Sequence, residues 1–171
     1  ELDRLQGLAS KSQLALLAML SMRRFQPFRL ARKWIEEGVI GEVSLINTRK
    51  SYKWGKRPEW FKDRSLYGGT WPWIGIHNMD IAHFVTGKHA VRGTAFHACR
   101  VHEDYADCED VGVGTFELED GILMTASIDY LRPDSAATHG DDWCRVVGEL
   151  GVIEASVARS EVKLTTDAGE E

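Results

Sequence analysis

The stretch Gly68–Gly87, GGTWPWIGIHNMDIAHFVTG, decides how the rest of the chain is read. Gly68, Gly69 and Pro72 break the backbone into a turn, because glycine tolerates positive φ and proline fixes φ while removing a donor. His77 then stands where a helix can start. Met79, Ile81, Ala82, Phe84 and Val85 follow at broadly helical spacing, and Gly87 stops the helix. A histidine beside a glycine-rich turn, with Trp54, Trp60, Trp71 and Trp73 nearby in sequence, can stand at the wall of a cleft. Imidazole titrates near neutrality, so it can give or take a proton at working pH. A capping or core histidine would leave the same trace in the sequence.

Outward from this helix the periodicity changes. Residues 2–10 read as the end of an amphipathic helix, and 13–22 as a nearly continuous apolar run, the pattern of a strand buried on both faces. Residues 26–37 place Phe28, Ala31, Trp34 and Ile35 on one helical face before Gly38. Residues 42–53 alternate as a long strand, and 54–70 read as a loop rich in aromatic and charged groups. Further strands are predicted near 90–100, 111–118, 122–130, 143–148, 151–157 and 161–166, with Asp120-Gly121 as a hairpin turn. The tail from Thr166 is polar and is expected to fray. The fold class is therefore α+β: a mostly antiparallel sheet with helices on one face and an open face for association. In 122–130, Ile122, Met124, Ala126, Ile128 and Tyr130 share one face, while Leu123, Thr125, Ser127 and Asp129 share the other. The second face is small and polar, which suits either another subunit or plain solvent.

Composition narrows the function classes. The 171 residues suit one domain with a sizeable core, and 43% hydrophobic with 27% charged residues is ordinary for a globular protein. A net charge of -5 argues against a nucleic-acid or anionic-membrane partner. Cys99, Cys108 and Cys144 are widely spaced, which fits a reducing cytoplasm better than a disulfide framework or zinc site. The apolar run Leu14–Leu20 is too short to span a bilayer.

Several clusters could carry chemistry. Flat aromatic faces stack on the apolar face of a sugar or cyclitol, and Lys56, Arg57, Lys62 and Arg64 could hold hydroxyls or a carboxylate. Packing is the competing use of these tryptophans. Trp54, Arg57 and Trp73 are the foremost substrate-binding candidates. Lys50, near the end of the long strand, points towards the same loop, although a solvated lysine would read alike. His77, Asp80 and His83 do not converge on one ion at i, i+3, i+6 spacing, and the acidic list around His97, His102 and Asp110 follows no metal pattern. No metal site is expected, and Asp80 is expected to stabilise the helix N-terminus by its charge.

The Gly68–Gly87 segment resembles the helix-opening motif of the C-terminal domain of the Gfo/Idh/MocA dehydrogenases, relatives of glucose-fructose oxidoreductase and inositol dehydrogenase. Met22-Arg23-Arg24-Phe25-Gln26-Pro27 and Glu37-Gly38-Val39-Ile40-Gly41-Glu42-Val43 resemble that family's strand exit and its helix-to-strand turn. Phe116-Glu117-Leu118-Glu119-Asp120-Gly121 and Val147-Gly148-Glu149-Leu150-Gly151-Val152-Ile153 resemble its late hairpins. The resemblance implies an oxidoreductase that moves a hydride between NAD or NADP and a hydroxyl of a sugar, cyclitol or related polyol. It implies His77 as the catalytic proton carrier, Lys50 on a strand lining the substrate pocket, and Arg23 and Arg24 near the cofactor. The family's acid, four positions before this histidine, is here Trp73, which cannot exchange a proton.

The family's Rossmann fingerprint and Glu-Lys-Pro motif are absent, and Gly112-Val113-Gly114 sits in a strand pattern, so it is not a pyrophosphate loop. The expectation is therefore the C-terminal part of a longer enzyme. Residues 1–23 would be the last helix and strand of a dinucleotide-binding domain, and 24–171 the substrate-binding and oligomerisation domain. Such a piece would bind no cofactor and turn over nothing by itself. The rival expectation is a non-catalytic binding or assembly module that has lost its acid. In either case the expected partners are a small polyol or sugar and further copies of the chain.

Overall fold

Ile122, Met124, Ala126, Ile128 and Tyr130 are between 1% and 5% exposed, whereas Leu123, in the alternate set, is 57% exposed. One face of this strand is core and the other is open, as a period of two demands. The computed structural model describes residues 1–12 and 15–170. Among them the strands are β1 (Val43–Tyr52), β2 (Ala90–Ala98), β3 (Val111–Leu118), β4 (Leu123–Asp129), β5 (Gly140–Gly148), β6 (Gly151–Ser156), β7 (Glu161–Thr166) and β8 (Gly169–Glu170). They form one sheet in the order β2-β3-β4-β1-β5-β6-β7-β8. Only β1 and β4 run parallel; the other neighbours are antiparallel. The fold is α+β.

Helices α2 (Gln26–Glu36) and α4 (Ile76–Thr86) cover one face; α1 (Leu2–Lys11) and the short α3 (Arg64–Tyr67) lie outside it. Phe28 and Ala31 of α2 and Ile81, Ala82 and Val85 of α4 join Ile46, Met124, Val146 and Ile153 in one core. Each such aliphatic or aromatic side chain contributes about 1.5–3 kcal/mol by leaving water. Gly87, at φ 74°, closes α4 in the left-handed conformation that glycine adopts without strain.

The helical stretch begins earlier than its sequence suggests. A wider π-type turn, Trp71–Gly75, leads directly into α4, so Pro72 sits in a first turn, where its missing N–H costs nothing. Trp71 packs in a slot kept open by glycines. A Cβ on Gly75 would stand 2.4 Å from Trp71 Cε3, and one on Gly114 3.0 Å from its Cη2. Gly112 and Gly114 therefore serve packing.

Four further expectations need correction. Residues 13 and 14 of the apolar run 13–22 lie outside the described residues; among the described ones, 15–20 join no strand and Ser21–Arg24 is a 3-10 turn. A strand buried on both faces needs neighbours, and here Leu17 and Met19 are 87% and 89% exposed. The 54–70 loop contains helical turns at Glu59–Lys62 and Arg64–Tyr67, the latter capped by Asp63, whose Oδ1 accepts from Ser65 N at 2.8 Å. Within the tail, Gly169–Glu170 form β8, which pairs with β7. Strand β5 starts at Gly140, three residues before the predicted 143: Gly-Asp-Asp is poor strand sequence in isolation, and pairing with β1 extends the strand through it. That extension positions Asp142 directly opposite Lys50.

Candidate functional site

Alternation along β1 turns Ile46, Thr48 and Lys50 towards the helices. Lys50 thus carries its ammonium into the layer beneath α4, where it is 0% exposed. Burial costs a lone charge many kcal/mol, so it must be paired. Lys50 Nζ lies 2.5 Å from Asp142 Oδ1, donates to the Tyr52 hydroxyl at 2.7 Å and contacts Met22 Sδ at 3.4 Å. The Tyr52 hydroxyl lies 3.2 and 3.3 Å from the two Asp142 carboxylate oxygens. Burial pulls Lys50 below its ordinary value, and the Asp142 carboxylate offsets part of that fall.

His77 sits in the first turn of α4, half-buried. Its neighbour Asn78 is fully buried and donates to the Ser127 carbonyl at 3.1 Å, which pins this end of the helix to β4. His77 Nδ1 is buried and has no hydrogen-bond partner among the described residues. Burial lowers the His77 pKa, and the Lys50 charge lowers it further against the pull of Asp142 and Asp80. The ring is therefore neutral at neutral pH and can accept a proton. One turn on, Asp80 takes Arg23 through Nε at 2.9 and 3.1 Å and through Nη2 at 2.5 Å. Its partner is thus this guanidinium, where the sequence suggested a role at the helix N-terminus, and the fork ties the turn bearing Met22 to α4.

The aromatic candidates separate into two groups. Trp73 is 45% exposed and packs edge-on to Trp60 and Phe61, each at 5.5 Å; Trp60 is itself 38% exposed. These two indoles form an open aromatic wall one turn before His77. Trp54 instead stacks on His102 at 3.7 Å and meets Tyr130 edge-on. Arg57 lies over Tyr130 at 4.2 Å and over Trp54 at 5.2 Å, and donates to the Lys53 carbonyl at 3.4 Å. Trp54 and Arg57 therefore share a second cluster with Phe61, Tyr67 and Cys108. Arg24 is exposed.

The structure thus brings Lys50, His77 and, through Asp80, Arg23 to one region, with Trp73 one turn before His77 and Trp54 and Arg57 on the far side of Phe61. Asp142 and Tyr52 are functional candidates that the sequence reading missed. The usable signal was the opposite charge across a strand pair, legible only once the register was known. No group of three or more His, Cys, Asp or Glu side chains among the described residues could hold a metal ion. A half-buried imidazole beside the Lys50–Asp142 ion pair is a donor set that could meet the reacting end of a nicotinamide nucleotide. Arg24 is exposed on the Ser21–Arg24 turn beside Arg23. No described helix is long and apolar enough to cross a membrane.

A family model described as the GFO/IDH/MocA C-terminal domain matches residues 28–154. Inositol 2-dehydrogenase of Rhizobium meliloti (strain 1021) is 33% identical over 141 residues, which is 80% of this chain and 40% of that protein. A Thermotoga maritima structure described as an oxidoreductase superposes with a TM-score of 0.81 at 42% identity, over 86% of this chain and 45% of that one. Another oxidoreductase structure, from Erwinia carotovora atroseptica SCRI1043, gives 0.86 at 25% identity, over 99% of this chain and 54% of that one. Levoglucosan dehydrogenase in complex with NADH shares the fold, with a TM-score of 0.79 at 17% identity over 95% of this chain and 47% of that one. The chain thus spans about half or less of the length of most of these relatives.

Proposed function

The chain belongs to the GFO/IDH/MocA C-terminal domain family, and on that premise we propose that it is the substrate-binding and oligomerisation part of an NAD(P)-dependent oxidoreductase acting on a hydroxyl of a sugar, cyclitol or related polyol. The observation that carries this reading is His77: half-buried in the first turn of α4, one turn after the exposed indole of Trp73 and close to the Lys50–Asp142 pair. In this reading the polyol ring lies against Trp73 and Trp60, and His77 takes the proton of the reacting hydroxyl. The nicotinamide supplies the acceptor for the hydride. Arg23 holds Asp80 and the turn above the site, and Arg24 is the candidate contact to the cofactor. Arg57, over Trp54 and Phe61, braces the aromatic wall from behind through Phe61. Residues 1–23 would belong with a dinucleotide-binding domain and 24–171 with the substrate domain. The free thiols Cys99, Cys108 and Cys144 suit a reducing cytoplasm.

The alternative is a non-catalytic binding module, favoured by Trp73 in the place of the family's acid. Turnover decides between them. The intact protein, given NAD+ or NADP+ and a panel of cyclitols and hexoses, is expected to form reduced nicotinamide at on the order of 1–1000 s⁻¹ with its own substrate. Saturable binding of a cyclitol without turnover would favour the module.

The open sheet face is the proposed self-association surface. Cross-strand partners share a face, so Phe96, Val113 and Ser127 line one row, and Leu123 and Leu45 another. Phe96 is 73% and Val113 53% exposed. Two such faces would bury about 1,600 Å² or more. Leu123→Asp with Val113→Asp is expected to convert an oligomer to monomer in sedimentation velocity. An unchanged oligomer, or a monomeric unsubstituted protein, would reject this face.

A further inference from the structure

We propose that Lys50 is a positioning residue for His77: held by Asp142 and Tyr52, its ammonium is a fixed, dry positive charge at the floor of the site that does not touch the polyol. The purpose of this charge rests on the oxidoreductase reading above; its geometry does not. All three ammonium N–H bonds have partners, namely the Asp142 carboxylate, the Tyr52 oxygen and Met22 Sδ. The hydrogen-bond direction is also consistent: Tyr52 accepts from Lys50 and donates its own proton to Asp142. A neutral amine would leave a lone pair facing only acceptors. Lys50 has no donor left for a substrate and no solvent access.

The ammonium lies close enough to matter. Asn78 fixes the first turn of α4 to Ser127, and the next residue in β4, Ile128, is the register partner of Lys50. Met22, which touches Lys50, adjoins Arg23, which grips Asp80 on the same helix. The charged groups that act on His77 are Lys50 from β1, Asp142 from β5 and Asp80 from its own helix, and Arg23 of the Ser21–Arg24 turn grips Asp80. Arg32 of α2 lies over Phe84, towards the far end of α4. The Trp71–Gly75 turn brings no charge. A cation at this place opposes formation of the imidazolium. His77 thus meets the substrate neutral, and the proton it takes from the hydroxyl is readily passed to water.

The test follows His77 by NMR in the intact protein with ring-¹³C-labelled histidine, using loss of one signal in His77→Asn as the assignment. Lys50→Met removes the cation, so the His77 midpoint is expected to rise by about half a pH unit or more. Lys50→Arg should restore it. An unmoved midpoint in folded Lys50→Met protein overturns the proposal. Should that variant fail to fold, the unsubstituted protein with labelled lysine decides: one protected ammonium signal should shift as His77 titrates, and its absence overturns the proposal. Where polyol turnover is present, the acid limb of kcat/KM should rise in step with the His77 midpoint, with KM little changed. If the midpoint moves but no polyol is turned over, the placement of Lys50 stands and the oxidoreductase reading falls.

Discussion

His77→Asn and His77→Ala are expected to lower kcat of the intact protein by about 10² to 10⁴, while the melting temperature stays close to that of the unsubstituted protein. The size follows from removing the group that takes the hydroxyl proton. At about 1.36 kcal/mol per factor of ten, that is roughly 3–5 kcal/mol of barrier. The modest stability effect follows from the surroundings of the ring. It is half-buried, and its Nδ1 has no partner whose hydrogen bond would be lost. A neutral ring also gives the pH dependence its sign. Burial and the Lys50 charge lower the His77 pKa below its ordinary 6.5, so activity in the direction of polyol oxidation should persist to slightly acidic pH before falling. Unchanged kcat in both variants would leave His77 a structural residue.

Asp110→Ala is expected to destabilise the fold by about 2–4 kcal/mol at pH 7, since bonds to a buried charge contribute more than neutral ones. Asp110 is 0% exposed. It accepts from the backbone N–H groups of Arg100, Val101 and His102 at 2.8, 2.8 and 3.0 Å, and contacts His102 Nδ1 at 3.1 Å. Burial raises its pKa, but these donors together outweigh burial and the net shift is downward from 3.8. A depressed carboxylate contributes stability that is present above its unfolded value and lost as pH falls through its folded value. Urea denaturation at pH 7 and near pH 3 should therefore show the gap between Asp110→Ala and the unsubstituted protein narrowing in acid. A gap of equal size at both pH values would mean that the carboxylate charge contributes nothing.

Local pattern made much of this legible. The period of two in 122–130 gave the correct inner and outer faces, and the helix ending at Gly87 was visible because its apolar spacing and its terminator agree. The failures share one cause, which is that neighbours decide what a short apolar or polar run becomes. The run 13–22 reads as a buried strand, but no strand pairs with the described residues 15–20. Gly140-Asp141-Asp142 lies outside the strand predicted near 143–148, yet pairing with Tyr52, Ser51 and Lys50 makes it strand. The site divides the same way. His77 stood out from its own flanks, whereas Asp142 acquires meaning only from Lys50, far away in the chain. Trp54 and Trp73 read alike as substrate-binding candidates, but packing divides them: Trp73 and Trp60 are exposed, and Trp54 stacks on His102.

The most direct measurement of the account is a crystal structure of the intact protein with reduced nicotinamide nucleotide and a polyol that it turns over. The predicted result places a His77 ring nitrogen within about 2.6–3.2 Å of the hydroxyl oxygen on the carbon that faces the nicotinamide. The polyol ring should lie against Trp73, and Lys50 should remain paired with Asp142 beneath it. A polyol bound away from His77, or a nicotinamide directed elsewhere on this domain, would contradict the central claim.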